Sequence, residues 1–450
     1  MRHFVFFLIF SLVVFQQAQA QENILDTYVA EGLASNLSLK QENISLERNM
    51  RALEEARGLF MPSLELNARY SRATGGRLIE FPIGDLLNPA YNTLNQLTDS
   101  KQFPTLENAA IPFLRPEEHE TKLRLVQPIL QPSIYYNYQI RQTQVSMQQD
   151  AVDIYKRQLI ADIRTSYYNY LKSVKGIQLY EKVKSLQLQN LALNEKLFEN
   201  NKITYDAIYA IKADISDTEL KLADAGKNKT IATAYFNFLL NKPLDTRIQT
   251  DTTFAFEEIT AFGMDDLLTT SLEKREEIQQ VNKGLQITEQ NLKLNRSKVL
   301  PTLNLVVDYG FQGTKYRFTS QDDYLQGSLV LSWQLFGGFQ NRSRIAQASL
   351  DRQRLETQQT ELQQRIRLQV TTAAEQVRVA RQNVQTATER VTSAQKYFNI
   401  VNRKYKEGMA LYIEYLSALT SLTNAENSKI LAEYDYQIRI TELNRVAAKD

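Results

Sequence analysis

The sequence predicts a mainly α-helical protein with a small β part, in which the order helix, strand, strand and long helical hairpin occurs twice. Glycine and proline are scarce, at 15 and 10 of 450 residues, which favours long regular elements over frequent turns. A shift of 239 residues places Asp26 on Asp265, and the match continues without a gap to Tyr70 on Tyr309. Internal repetition of this kind indicates two structurally equivalent halves.

Composition excludes several classes of protein. The chain has 53 Lys and Arg against 51 Asp and Glu, so its formal net charge of +2 provides no general attraction to nucleic acid. Cysteine is absent and there are two histidines, His3 and His119, which excludes disulfides, thiol nucleophiles, iron–sulfur clusters and multi-histidine metal sites. We therefore expect neither a metal nor a cofactor.

Residues 1–20 are predicted to be a secretory signal peptide. Arg2 and His3 precede an apolar run from Phe4 to Phe15, and Ala18 and Ala20 are the small residues of a cleavage site. The mature chain is expected to begin near Gln21. Because that residue is not cysteine, we do not expect N-terminal acylation of the lipoprotein kind.

Each repeat is predicted to begin with a helix that ends at a proline, over residues 24–59 and 265–299. Alternation of apolar and polar residues then predicts strands near 62–70, 121–130, 301–312 and 324–335. Their length of about 10 residues is close to that of a tilted strand crossing a bilayer. The proline-rich segment 71–120 is predicted to be a long loop.

Long helical hairpins are predicted over 135–240 and 341–447. Their outward helices contain no proline and a single glycine, Gly176, and each would be about 100 Å long. From Ala373 to Tyr405, apolar residues recur at alternating spacings of four and three, which predicts a coiled-coil seam. The complete predicted division is signal peptide 1–20, first repeat 21–240, linker 241–262 and second repeat 263–450.

Four strands are too few to close a membrane barrel, since the smallest single-chain barrels have about eight. An open sheet edge in lipid would leave backbone amides unsatisfied. The strands therefore either form a water-soluble sheet or combine with those of other copies, and periodicity alone does not distinguish two, three or four copies.

The order of elements, the tip sequence Tyr405-x-x-Gly408 and the following Glu414-x-Leu416-x-Ala418 resemble the TolC family of outer-membrane efflux and secretion channels. This resemblance covers essentially the whole mature chain. It implies a homotrimeric, twelve-stranded transmembrane β-barrel continued by a periplasmic α-helical barrel, with residues 241–262 as the equatorial linker. The implied location is the outer membrane of a Gram-negative bacterium. Implied partners are outer-membrane lipid, a periplasmic adaptor protein and an inner-membrane transporter, without nucleic acid.

The resemblance also implies that acidic residues just past the second hairpin tip line a periplasmic aperture. Glu414 occupies the first such position, and Ser417 replaces the aspartate often found at the second. Asp206 matches an aspartate that helps to hold the aperture closed, although Ala410 replaces the expected basic partner. Carboxylates also suit the first turn of a helix, so capping explains Asp206 and Glu414 equally well.

The hairpin tips and the aromatic residues supply the remaining candidates. By resemblance, the tips dock the adaptor through Asn200, Asn201 and Lys202 in the first repeat and Glu407, Gly408 and Met409 in the second. Simple helix capping accounts for Gly408 equally well. Candidate membrane-interface aromatics are Tyr70, Tyr309, Phe311, Trp333 and Phe336, whose alternative role is ordinary sheet core.

The predicted function is a passive exit duct of a tripartite efflux pump or type I secretion system, gated at its periplasmic end and not an enzyme. The alternative is a periplasmic coiled-coil adaptor or scaffold of an export system. Adaptors usually have one hairpin flanked by β-rich domains, whereas this chain has two matched hairpins. An exported enzyme is disfavoured because no carboxylate cluster lies in an enzyme-like loop.

Overall fold

The computed structural model describes residues 24–201, 203–250 and 263–449. The predicted signal peptide, Lys202 and residues 251–262 of the predicted linker lie outside these ranges. The chain divides into a helical unit, formed by the described parts of residues 1–50, 143–287 and 351–450, and a sheet unit, formed by residues 51–142 and 288–350. None of the helices in the described ranges is long and apolar enough to span a membrane.

The described ranges contain nine helices and six strands. The helices are α1 (Ile24–Ser35), α2 (Leu37–Gly58), α3 (Ile83–Leu97), α4 (Pro132–Glu199), α5 (Tyr205–Leu239), α6 (Met264–Lys274), α7 (Glu276–Ser297), α8 (Gln340–Lys406) and α9 (Tyr412–Ala447). The strands are β1 (Ser63–Arg72), β2 (Leu78–Phe81), β3 (Ala109–Pro112), β4 (Glu117–Leu130), β5 (Thr302–Gly313) and β6 (Asp323–Ser332). The predicted mainly helical fold with a duplicated order of elements is confirmed.

The first repeat packs its short opening helix against its hairpin. The ring of Tyr28 in α1 meets the ring of Phe236 in α5 edge-on, with 5.0 Å between centroids, and that of Tyr167 in α4 at 6.0 Å. Phe236 and Tyr167 are completely buried. Edge-to-face packing of aromatic rings adds to the free energy gained by burying them.

The second repeat makes the equivalent contact with aliphatic residues. Leu267 in α6 occupies the position that matches Tyr28 in the 239-residue shift, and it is buried in one cluster with Ile366 and Val370 of α8 and Ile440 of α9. The repeats therefore share the packing arrangement as well as the order of elements, with different side chains at the contact.

The predicted seam on α8 is confirmed as a buried stripe. Ala373, Val377 and Ala380 are at most 3% exposed and pack with residues of α9. Nearer the tip, Ala394 and Phe398 join a second cluster with Ala418 of α9. Small side chains at these positions allow the two helix backbones to approach closely, as the sequence indicated.

The prediction of one continuous opening helix in each repeat is wrong. The first is interrupted at Asn36 and the second at Arg275, and these positions coincide in the 239-residue shift. The Asn36 side chain accepts a hydrogen bond from the Leu39 backbone N–H (2.9 Å) and donates one to the Leu239 carbonyl (2.9 Å). These bonds start a new helix, because Asn36 caps it in the manner of an N-cap residue. Buried Arg275 is held by Glu277 and by Gln369 (2.7 Å).

Four strands form one antiparallel sheet in the order β1-β4-β5-β6. Leu66 pairs with Leu123, Leu123 with Tyr309, and Tyr309 with Leu325, so apolar side chains share one face across all four strands. Among the described residues, β1 and β6 each have a neighbouring strand on one side only. Both edge strands are 10 residues long.

The prediction of a long loop over 71–120 is wrong as well, because this segment contains β2, α3 and β3. The side-chain amides of two asparagines in α3 form hydrogen bonds with the backbone of the segment that follows the helix. Asn88 donates to the Leu106 carbonyl (2.9 Å) and accepts from its N–H (2.8 Å), and Asn95 does the same with Phe103 (2.9 and 3.1 Å). Each side-chain amide thus replaces a strand partner for an otherwise unpaired backbone.

We expect Asn36→Ala to destabilise the helical unit by about 2–3 kcal/mol, because it removes a helix cap and leaves the Leu239 carbonyl without its buried donor. Asn43→Ala is the matched control, since Asn43 lies on the same helix and is exposed. Thermal unfolding followed by circular dichroism in detergent measures both. Equal midpoints for the two variants would show that Asn36 does not hold the interruption in place.

Candidate functional site

The four-stranded sheet presents a continuous apolar face to its surroundings. Leu66 on β1 is 70% exposed and Leu329 on β6 is 69% exposed. The other large apolar side chains on this face that remain exposed are Leu64, Tyr70, Leu123, Tyr309, Leu325 and Leu331. Monomeric soluble proteins rarely expose a patch of this size, so the face is built to meet lipid or another protein.

The opposite face carries a network of charges that joins β4, β5 and β6. The Arg124 guanidinium donates two hydrogen bonds to the Asp308 carboxylate, at 2.8 and 2.7 Å. Lys122 donates to Glu120 (2.7 Å), and the Tyr324 hydroxyl donates to the same carboxylate (2.7 Å). One face is therefore polar and self-paired while the other is apolar, which is the alternation of a transmembrane strand with a wet interior.

The predicted interface aromatics separate into two groups, one at each end of the sheet. Tyr70, Tyr309 and Phe311 lie at the end remote from α8, and the rings of Tyr309 and Phe311 meet at 6.0 Å. Trp333 and Phe336 follow β6 at the other end, where they are 58% and 73% exposed. The predicted aromatics therefore lie at both ends of the strands, with polar and apolar faces between them.

Three further rings, those of His119, Tyr316 and Phe318, complete the first group. Tyr316 stacks on His119 at 4.3 Å and on Tyr70 at 6.3 Å, and Phe318 meets Phe311 edge-on at 5.2 Å. His119 is 1% exposed, and its Nε2 atom lies 2.6 Å from the Lys315 carbonyl. His119 is thus part of the packing between β4 and the β5–β6 turn.

Both hairpin tips turn through a residue in the left-handed conformation. Asn201 has φ 57° and Gly408 has φ 74°. Asparagine tolerates this region and glycine enters it without strain, so each residue suits its turn. Met409 donates its backbone N–H to the Lys404 carbonyl (2.8 Å), which closes the end of α8, and its side chain is 67% exposed.

Glu414 and Ser417 share the exposed face of α9, because residues three apart are neighbours on a helix. Tyr415 and Ala418 lie on its opposite face, where they are 4% and 0% exposed and pack against α8. The structure therefore leaves the Glu414 carboxylate free to face solvent or a pore.

Asp206 is exposed in the first turn of α5. Hydrogen bonds from Thr204 and from the backbone at Asp206 and Ala207 hold the pKa of its carboxyl below the usual range. Within the described residues, no hydrogen bond or ion pair joins Asp206 to Glu414 or to the second hairpin.

The contacts that join the two hairpins near their tips come instead from tyrosines that the sequence analysis did not select for this role. The Tyr412 hydroxyl donates to the Asp214 carboxylate (2.7 Å), and the Tyr405 hydroxyl donates to the Asn194 side-chain oxygen (2.9 Å). We call these two pairs the tyrosine latch. Each pair links the first repeat to the second, because Asn194 and Asp214 lie on α4 and α5.

The latch is half-buried, which keeps its hydroxyls protonated. Burial raises the pKa of Tyr412 strongly, and the hydrogen bond to the Asp214 carboxylate adds to the shift. Burial also raises the pKa of Tyr405. Their neighbour Tyr415, whose ring stacks on Tyr405 at 5.0 Å, has its pKa raised to about 12 by burial and by Tyr405. Both latch residues therefore remain hydrogen-bond donors over the physiological pH range.

The duplicated hairpins and the two-faced sheet are found in known outer membrane channels as well. Residues 267–449 match the family model of the outer membrane efflux protein. Similar solved structures include the CmeC outer membrane channel of Campylobacter jejuni, with 15% identity, a TM-score of 0.78 and coverage of 94% of this chain and 85% of CmeC. The open MtrE outer membrane channel of Neisseria gonorrhoeae has 15% identity, a TM-score of 0.75 and coverage of 94% and 88%.

VceC of Vibrio cholerae, an outer membrane protein, has 13% identity and a TM-score of 0.75, with coverage of 94% of this chain and 95% of VceC. No curated protein sequence matches the chain. The second repeat thus resembles the outer membrane efflux protein family, and the chain as a whole has the fold of the TolC-like channels. The predicted resemblance is confirmed. The matched family model and the similar structures are those of outer membrane channels and not of enzymes, in agreement with the prediction that the protein is not an enzyme.

We expect Tyr412→Phe to lower the stability of the hairpin tips by about 2 kcal/mol, because it removes a hydrogen bond to a carboxylate. Tyr209→Phe is the matched control, since Tyr209 is 65% exposed. The comparison is the thermal midpoint of each variant against the unaltered chain.

The same measurement repeated across pH tests the latch further. Because the folded protein holds the Tyr412 pKa above its ordinary value of about 10, the folded state binds this proton more tightly than the unfolded chain does. The stabilising effect of the hydroxyl is therefore constant from about pH 6 to about pH 9 and is lost as pH rises above about 10. A difference between Tyr412→Phe and the unaltered chain that grows above pH 10 would contradict this assignment.

Proposed function

We propose that the protein is the trimeric outer-membrane exit duct of a tripartite efflux pump or type I secretion system. The observation that carries this proposal is the four-stranded sheet, which combines one exposed apolar face with two edges that have no neighbouring strand among the described residues. In lipid each unsatisfied backbone group costs several kcal/mol, so a membrane sheet has to close on itself.

The direction of the strands permits closure between copies. All neighbouring strands of the sheet are antiparallel, so β1 and β6 run in opposite directions. A β6 edge placed beside the β1 edge of the next copy is therefore antiparallel as well, and the two edges are equally long. Three copies, the number that the resemblance to the TolC family implies, give one twelve-stranded barrel.

We infer that the periplasmic aperture is gated at the hairpin tips. In a trimer, Glu414 forms a ring of three carboxylates, which favours cations. Ser417 lies on the same exposed face and leaves the ring single. The tyrosine latch restrains the tips by tying α8 and α9 to the first hairpin, while Asp206 lies in the first turn of α5 and acts in the gate only through the helix that it stabilises.

The hairpin tips are the proposed docking surface for a periplasmic adaptor, which would connect the channel to an inner-membrane transporter. They combine Asn200, Asn201 and Lys202 of the first repeat with Glu407, Gly408 and Met409 of the second. Large apolar side chains next to these turns support docking, because Leu411 and Ile413 are 67% and 64% exposed. Lys202 enters this surface from the sequence alone.

Residues 1–20 direct export to the periplasm of a Gram-negative cell and are removed without acylation of Gln21. Residues 21–240 and 263–450 are the two repeats, and residues 241–262 join them as an equatorial linker. Outer-membrane lipid surrounds the barrel, and no nucleic acid, metal or cofactor takes part.

Cysteine crosslinking tests the barrel directly, because the chain has no cysteine of its own. A chain with cysteines replacing Leu329 on β6 and one of Leu64, Leu66 or Ala68 on β1 is expected to form disulfides between copies. The resulting ladder on denaturing gels should end at three chains, since a closed ring has no further edge.

The matched control places cysteines at Leu66 and Leu123, which face each other within one copy in the β1–β4 register. This pair should close inside the monomer. Ladders that extend well beyond three chains, or no crosslink between copies from any β1 position, would contradict a closed trimer.

We expect Glu414→Gln to lower the preference for cations over anions by about fivefold in planar bilayers, because it removes the whole carboxylate ring. Ser417→Asp should raise the preference by adding a second ring on the same helix face. Glu273→Gln, at an exposed position of α6, makes the same charge change away from the tips and serves as control. Unchanged selectivity in both tip variants would remove Glu414 and Ser417 from the aperture.

A further inference from the structure

A cavity of about 450 Å³ lies in the sheet unit where β5 and β6 meet the adjoining helices. Its wall combines three basic side chains with exposed apolar rings. The residues that matter for its chemistry are Lys298, Phe336, Phe339, Arg342 and Arg344.

The positive charge in this cavity has no carboxylate partner in the described part of the chain. The sequence contains no Asp or Glu over residues 290–307 or 324–350. Arg342 and Arg344 are exposed, and neither forms an ion pair with a described residue, whereas Arg352 and Arg354 further along α8 pair with Glu356 and Asp351. The amine of Lys298 donates a hydrogen bond to the Asn295 side-chain oxygen (3.0 Å) and pairs with no carboxylate among the described residues.

The position of the two arginines adds to this imbalance. Arg342 lies in the first turn of α8 and Arg344 one residue beyond it, and the first turn has no acidic residue. The N-terminus of a helix already carries partial positive charge, so cations there are unfavourable unless an anion compensates them. The cavity is therefore suited to an anion.

Apolar side chains project next to these cations. Leu335, Phe336 and Phe339 are 80%, 73% and 70% exposed, and the rings of Phe336 and Phe339 meet edge-on at 5.6 Å. Phe339 has φ 60°, a left-handed conformation that is unusual for a bulky residue and is typically retained for a functional reason. The neighbouring Trp333 ring is fixed by its N–H, which donates to the Val299 carbonyl (3.0 Å).

We propose that this cavity binds the phosphate headgroup of an anionic phospholipid of the periplasmic leaflet, with Phe336 and Phe339 against its acyl chains. The inference rests on the proposed function, which places β5 and β6 in the outer membrane. Arginine pairs strongly with phosphate oxygens, and basic pockets at a membrane surface select anionic headgroups. Free phosphate would use the arginines but would gain nothing from the exposed rings, so the lipid is the favoured source.

Native mass spectrometry of the full-length trimer, incubated with phosphatidylglycerol or phosphatidylethanolamine, tests this binding. The unaltered trimer should retain phosphatidylglycerol in preference. The double variant Arg342→Gln with Arg344→Gln should bind it about thirtyfold more weakly, given about 1 kcal/mol for each basic residue near a membrane surface. Arg367→Gln with Arg390→Gln is the matched control, because both arginines are exposed on α8 outside the cavity.

Equal phosphatidylglycerol binding by the unaltered chain and the cavity variant would overturn the proposal. So would protection by inorganic phosphate against thermal unfolding that equals the protection given by the lipid. The cavity variant should still form trimers and conduct ions, because the arginines lie outside the barrel strands. If trimers form and conduct normally while lipid preference is absent, the lipid site alone is wrong. If the unaltered chain forms no trimers, the proposed function is wrong as well.

Discussion

The unpaired backbone of the two edge strands is the constraint on which the remaining structure depends. In the proposed channel the four-stranded sheet lies in lipid with its apolar face outward, yet β1 and β6 each have a neighbouring strand on one side only in the described residues. Exposed backbone amides and carbonyls are costly in hydrocarbon, so copies have to complete one another. The antiparallel order of the strands makes that completion possible without any change of direction at the joint.

The two repeats supply this structure with two similar sets of strands and helices. Tyr28 and Leu267 occupy matching positions and pack against their own hairpins, and the interruptions at Asn36 and Arg275 also match. The two repeats have nevertheless diverged where their hairpins meet. The tyrosine latch uses tyrosines of the second repeat and polar acceptors of the first, so the hairpin tips are joined by an asymmetric contact.

Periodic features were predictable from the sequence because they depend on local spacing. The alternation in β1, β4, β5 and β6 and the alanine-rich seam of α8 each repeat a short pattern, and the structure places these residues as their spacing indicates. The asparagine hydrogen bonds that order the 71–120 segment were not predicted, because the prolines there favour a loop. Each of these hydrogen bonds joins residues that are 8 or 18 positions apart, so no local pattern reveals it.

Tertiary contacts between distant parts of the chain were not predictable. Tyr412 and Asp214 are 198 residues apart, and no local pattern connects them. The family resemblance indicated Asp206 and not Asp214. In the structure Asp206 makes local hydrogen bonds, whereas Asp214 accepts the hydrogen bond from Tyr412. Helix capping and inter-hairpin contact require the same residue types, so only the packing of the hairpins distinguishes the two roles.

Electron cryomicroscopy of the full-length protein in lipid nanodiscs tests the central claim most directly. We expect particles with three copies around one lumen, in which β6 of each copy lies beside β1 of the next. A particle whose four strands are paired within one copy, with no lumen shared between copies, would contradict the account.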